Sequence, residues 1–201
     1  YFNYLSSPFT VLIFLFDKAD ISFAITALVI VKCMASAVTF TYYLKASQKR
    51  HSYVSAAFGV FYAFCAYFLA YYWNIMWIDG MILLPLIVLG IERLIHNGKG
   101  ALYTGALAVL LLSNYYMGYM ACIFSVLYFL AYFLMTAKPR PEKSGEKLTT
   151  REKYSAKNLM RHPFLNRCMR FAGFSLLAGG LCAVTLLPTY FLLRGSSATS
   201  D

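Results

Sequence analysis

From Ile21 to Leu44 the chain runs for 24 residues with a single charged side chain, Lys32. That length matches the roughly 20 residues a helix needs to cross about 30 Å of hydrocarbon. The pattern recurs: apolar stretches at 53–72, 78–95, 101–112, 117–135 and 171–193 bring the expected transmembrane helices to about six. Inside a bilayer every backbone N–H and C=O must find a partner within the protein, and helices provide this segment by segment. The predicted fold class is all-α, a polytopic helical membrane protein, with 1–201 forming a piece of one transmembrane domain. Residues 1–20 are aromatic, but their apolar run from Phe9 to Phe16 is too short to span, and Ser6-Ser7-Pro8 can open a short helix. This segment is expected at the membrane interface. Pro85 falls within 78–95, where neighbouring helices are expected to satisfy the carbonyl freed by its missing N–H. The chain opens on Tyr1 without a start methionine and stops at Asp201 in a polar stretch, which reads as an internal fragment of a longer protein.

Composition agrees, with 60% hydrophobic and only 13% charged residues against about 25% charged in soluble domains. The net charge of +10 does not indicate nucleic acid, because ten of the 18 Lys and Arg lie between Lys138 and Arg170 in one loop. That basic loop, 137–167, carries Pro139, Pro141 and Gly145 among alternating Lys and Glu and is expected to be a solvated cytoplasmic linker. Counted on to Arg170, and together with the loops 45–51 and 92–99, this stretch holds 15 of the 18 basic residues. Lys and Arg favour cytoplasmic loops, so the clusters 74–79 and 113–116 share the opposite, extracytoplasmic face with the N-terminal segment. The protein is therefore expected in the cell membrane, in contact with lipid on all sides. The five cysteines lack paired spacing and read as helix-packing residues.

Polar residues set against hydrocarbon carry the functional signal. Trp73, Asn74, Trp77 and Asp79 crowd the entrance of the third span. A carboxylate, an amide and two aromatic faces suit a sugar ring; equally, Asp79 can cap the helix and the tryptophans can belong to an interfacial belt. Asn114, Tyr115 and Tyr116 present the same choice between ligand and turn. Lys32 lies about 17 Å along its helix from Ile21, too deep for easy snorkelling, and needs a partner. Glu92, about 20 Å along its helix from Asp79, is the acidic residue expected to pair with it, with either a structural or a ligand-linked role. No phosphate-binding glycine loop, dinucleotide turn, HExxH motif or Ser-His-Asp set is present. No cofactor is implied; a divalent cation would find no evident ligand set. His51, His96 and His162 fall in the cytoplasmic loops and read as solvated.

The runs WNIMWIDGMILLPLIVLGIERLI and SNYYMGYMACIFSVLYFL, with the opening YLSSPF, resemble the YfhO family of bacterial multi-pass membrane proteins over nearly the whole chain. That family resembles the GT-C class of integral-membrane glycosyltransferases, and its members are associated with glycosylation of cell-wall polymers such as lipoteichoic acid. The resemblance implies a polyprenyl-phosphate sugar as donor, a cell-wall polymer as acceptor and an extracytoplasmic active face. It also implies an acidic catalytic residue in an early extracytoplasmic loop, which would precede Tyr1. Within the chain Asp79 is the remaining catalytic candidate, better suited to holding donor or acceptor. Lys32, Asn74, Trp77, Asp79, Asn114, Tyr115 and Tyr116 are the expected substrate-binding set. The competing classes are a transporter or flippase of lipid-linked sugars and a non-catalytic envelope-assembly protein.

Overall fold

The computed structural model describes residues 7–48, 53–136, 163–184 and 188, and everything described here concerns these. They are helical, without strands. Two short 3-10 segments, Pro8–Leu15 and Lys18–Asp20, lead into α1 (Ile21–Gln48). There follow α2 (Tyr53–Ala63), α3 (Ala66–Tyr71), α4 (Ile75–Asn97), α5 (Ala101–Ser113), α6 (Tyr115–Thr136) and α7 (Pro163–Leu181).

Four described helical stretches are long and apolar enough to cross a membrane: Lys18–Ser47, Tyr53–Tyr71, Ile75–Asn97 and Tyr115–Met135. Their outward faces carry large apolar side chains in the open, among them Phe23, Leu134 and Met135 at 75%, 73% and 85% exposure. Such faces are stable in lipid and would aggregate in water. At 13 residues, α5 reaches about 20 Å and is short for a span by itself. The stretch expected as one helix over 53–72 is broken at Phe64 and Cys65 into α2 and α3. The last helix starts at Pro163, earlier than the expected 171, because the apolar pattern begins after the arginines while the helix includes them. Residues 1–6, most of the basic loop 137–167, 185–187 and 189–193 lie outside the described residues, as do His51 and His162.

Helix α4 is the centre of the arrangement: 67% of its apolar window is buried inside the protein, against 28% or less in the other three candidate spans. It joins two cores. Toward Asn74, Ile78 and Met81 pack with Cys33, Ala63 and Phe68 from α1, α2 and α3. Toward Gly98, Ile87, Ile91, Leu94 and Ile95 pack with α5, α6 and α7. Small residues set the spacing. A Cβ on Gly90 would stand 2.5 Å from the backbone nitrogen of Tyr103, so α4 and α5 touch backbone to backbone there. Gly98, at φ 69°, ends α4 in the left-handed region, and its N–H donates to the Leu94 carbonyl at 3.0 Å.

Pro85 sits inside α4 without breaking it. Its missing N–H frees the carbonyl of Met81, four residues earlier. The Tyr62 hydroxyl donates to that carbonyl at 2.9 Å, so a tyrosine on α2 completes the ladder of α4, as the sequence led us to expect of a neighbouring helix.

Candidate functional site

The polar centre of the molecule is a buried ion pair. Lys32 Nζ on α1 lies 2.8 Å from Asp79 Oδ1 on α4, and each side chain is only 1% exposed. The same ammonium donates to the Ile75 carbonyl at 3.0 Å and stands 5.8 Å from the centre of the Phe9 ring. At that distance the ammonium and Asp79 Oδ1 form a charge-assisted contact, and among the described residues Asp79 Oδ2 has no hydrogen-bond partner. Ser7 Oγ, buried where the N-terminal 3-10 segment begins, also has no partner among the described residues. Isolated charges at this depth are costly, and mutual neutralisation is what lets both residues remain there.

Lys32 therefore does not pair with Glu92, as its depth measured from the helix start had implied. Helices α1 and α4 run in the same direction but are staggered. Tyr43 donates to Glu92 at 3.2 Å, so Glu92 is level with residue 43 of α1, eleven residues beyond Lys32. That is about 17 Å of helix, beyond the reach of a lysine. Depth counted from Ile21 and from Asp79 put Lys32 and Glu92 level only because the count ignored this offset. The capping alternative for Asp79 falls as well: α4 begins at Ile75, Asn74 holds the N-cap position, and Asp79 is already in the second turn.

Outside the pair lies an aromatic rim. Tyr71 stands 5.3 Å from both Trp77 and Tyr67 and 6.5 Å from Trp73, measured between ring centres. Tyr67 in turn lies within electrostatic reach of Tyr116. Trp73 and Tyr116 are exposed, so the rim offers free ring faces. Next to Asp79, Gly80 and Met81 line a cavity of about 390 Å³ with Tyr62, Cys65, Met117 and Met120. Its walls are almost wholly apolar, and it lies between helices where it faces hydrocarbon.

Of the residues expected at the site, the fold unites Lys32 with Asp79 and places Trp77 at the rim. Asn74 supplies no side-chain cap bond. Asn114 is buried and its Oδ1 accepts from the backbone N–H groups of Tyr116 at 3.0 Å and Met117 at 3.2 Å. It is the N-cap of α6, and no hydrogen bond joins it to Lys32 or Asp79. Tyr115 opens α6 beside it. Sequence reasoning missed Phe9 as a neighbour of Lys32, although it stands in the YLSSPF run. It also missed Tyr62, which a search for a hydroxyl to complement Pro85 could have proposed. At the other end of α4, Glu92 Oε1 accepts from both Tyr43 and Tyr128, and His96, expected in solvent, is exposed but bonded to the Tyr132 hydroxyl at 2.8 Å.

Long apolar helices with open hydrocarbon faces, gathered around a buried charge pair, define a polytopic membrane protein. Over residues 2–201 the chain matches the family described as "Bacterial membrane protein YfhO", and it belongs to that family. It is similar to the "Uncharacterized protein YfhO" of Bacillus subtilis (strain 168), at 36% identity over 72 residues. That alignment covers 36% of this chain and 8% of the relative, so the chain spans only a small part of the relative's length. No solved structure matches it.

Proposed function

We propose that the chain is the lipid-handling part of a membrane glycosyltransferase that moves a sugar from a polyprenyl-phosphate donor to a cell-envelope polymer such as lipoteichoic acid. The observation that carries this reading is the Lys32–Asp79 pair, whose carboxylate keeps unused acceptor capacity beside an apolar cavity. In this reading the cavity takes the first part of the polyprenyl chain, and the aromatic rim faces the sugar. Both lie on the extracytoplasmic face, in keeping with the crowding of Lys and Arg into the opposite loops.

The reaction is attack of an acceptor hydroxyl on the anomeric carbon. A carbon–oxygen bond forms there, the bond to the lipid phosphate breaks, and the phosphate leaves with the electron pair. The hydroxyl proton passes to a general base. In this reading Asp79 holds charge and hydroxyls, and the base lies elsewhere. Lys32 meets the phosphate, where it stabilises the leaving group, while Asp79 accepts from sugar hydroxyls and keeps Lys32 in place between turnovers.

Full-length protein in proteoliposomes, given a labelled polyprenyl-phosphate sugar and acceptor polymer, tests this. The exchange Lys32→Asp with Asp79→Lys keeps an ion pair but turns its charges round. It should retain folded protein and lose sugar transfer by tenfold or more, as expected of a positioned charge. Wild-type transfer in the exchanged protein would reduce the pair to architecture.

A second reading has its own support. The α2–α3 stretch is discontinuous at Phe64 and Cys65, and Cys65 lines the apolar cavity. Broken helices at a membrane-embedded site are a feature of transporters. Movement of the intact lipid-linked sugar across the bilayer, with no transfer to acceptor, would favour a flippase.

A further inference from the structure

The Gly98 end of α4 holds a second polar cavity, of about 480 Å³, lined by Ser47, Glu92, Arg93, His96, Asn97 and Tyr132. Glu92 is 6% exposed, and its Oε1 accepts from Tyr128 at 2.8 Å and Tyr43 at 3.2 Å. Two hydroxyl donors thus converge on one carboxylate oxygen. Yet among the described residues no Lys, Arg or His nitrogen lies within 4.0 Å of it. Buried charges are ordinarily paired or bound to a metal, and no group of three or more His, Cys, Asp or Glu is present among these residues to hold one. Arg93 lines the same cavity. One of its five N–H donors is used on the Tyr42 hydroxyl at 3.0 Å, and its guanidinium stands 5.8 Å from the centre of the Tyr42 ring. Tyrosines and a basic residue gathered at the end of apolar helices mark headgroup depth.

We propose that this cavity binds a phospholipid headgroup bearing both an ammonium and a phosphodiester, of the ethanolamine type, with the ammonium on Glu92 and the phosphate on Arg93 and His96. Glu92 supplies the charge that a cationic ligand would complete, and an N–H-bearing ammonium can enter a carboxylate's hydrogen-bond shell where a choline cannot. Arg93 matches the phosphate oxygens through its fork of donors. The site lies at the opposite end of α4 from Asp79, so it stands whether or not the chain handles lipid-linked sugars.

The test is native mass spectrometry on full-length protein from nanodiscs of phosphatidylethanolamine with phosphatidylglycerol, of phosphatidylcholine with phosphatidylglycerol, and of phosphatidylglycerol alone. Ethanolamine lipid should be retained at least tenfold over choline lipid, and Glu92→Gln, which keeps an acceptor for both tyrosines, should abolish that preference. Arg93→Gln should weaken retention of ethanolamine and glycerol lipids together. Competition by soluble glycerophosphoethanolamine, without any lipid requirement, would show that the source is a free headgroup and overturn the lipid assignment. Equal retention of ethanolamine and choline lipids, or an unchanged preference in Glu92→Gln protein of normal thermal stability, would overturn the site.

Discussion

The two ends of α4 solve the same problem differently. Both carry a buried carboxylate, Asp79 at 1% and Glu92 at 6% exposure. Asp79 is balanced by a full opposite charge and, among the described residues, receives no hydroxyl donor. Glu92 receives two hydrogen bonds and, among the described residues, has no basic nitrogen within 4.0 Å. The first arrangement is sealed within the protein, next to residues that line an apolar cavity; the second lines a polar cavity. A charge pair in hydrocarbon stands or falls with both partners, whereas a carboxylate held by hydroxyls beside water tolerates loss of its charge.

The largest effect should follow from splitting the pair. Lys32→Met or Asp79→Asn alone leaves an uncompensated buried charge and should destabilise the protein by about 3–5 kcal/mol. The two together should cost much less than the sum, read as a double-variant cycle in detergent unfolding. Glu92→Gln should cost about 1 kcal/mol or less, since a neutral acceptor still serves both tyrosines. A cost for Glu92→Gln as large as that for Asp79→Asn would erase the contrast between the two ends.

A middle-sized effect belongs to the helix that carries both carboxylates. Tyr62→Phe removes the donor that serves the Met81 carbonyl, and a stranded buried carbonyl costs about 1–3 kcal/mol. Pro85→Ala restores an N–H that can serve the same carbonyl, so in that background Tyr62→Phe should become nearly neutral. Equal costs in both backgrounds would mean that the hydroxyl acts elsewhere, for example through the Tyr62 ring stacked 4.3 Å from Phe40.

How much of this was legible follows from the range of each interaction. The all-helical membrane fold was legible because hydrocarbon thickness acts on every span and leaves its length in the sequence. The need of Pro85 for help was legible too, since the carbonyl it frees is fixed by local geometry. Lys32 was legible as a residue in need of a partner, but the identity of that partner was not. It depends on the stagger of α1 against α4, which is set by long-range packing such as that of Cys33 with Ile78 and Met81. Asp79 looked like a cap because the helix start was placed at Ile78; the helix instead begins at Ile75, with Asn74 as its N-cap.

The smallest effects separate two asparagines that the sequence presents alike. Asn114 caps α6 through two backbone N–H groups, so Asn114→Ala should cost about 1 kcal/mol, and up to about 2. Asn74 stands at the start of α4 without a side-chain cap bond, so Asn74→Ala should stay within about 0.5 kcal/mol. Thermal unfolding of the two variants checks the ranking. The comparison then sharpens the assignment of the site, because a structural residue and a ligand residue fail in different assays. If Asn74 faces the sugar, its alanine variant keeps its stability and loses affinity for the lipid-linked sugar. Loss of stability in Asn74→Ala comparable to that in Asn114→Ala would make both residues caps, leaving the aromatic rim and the Lys32–Asp79 pair as the site at this end of α4.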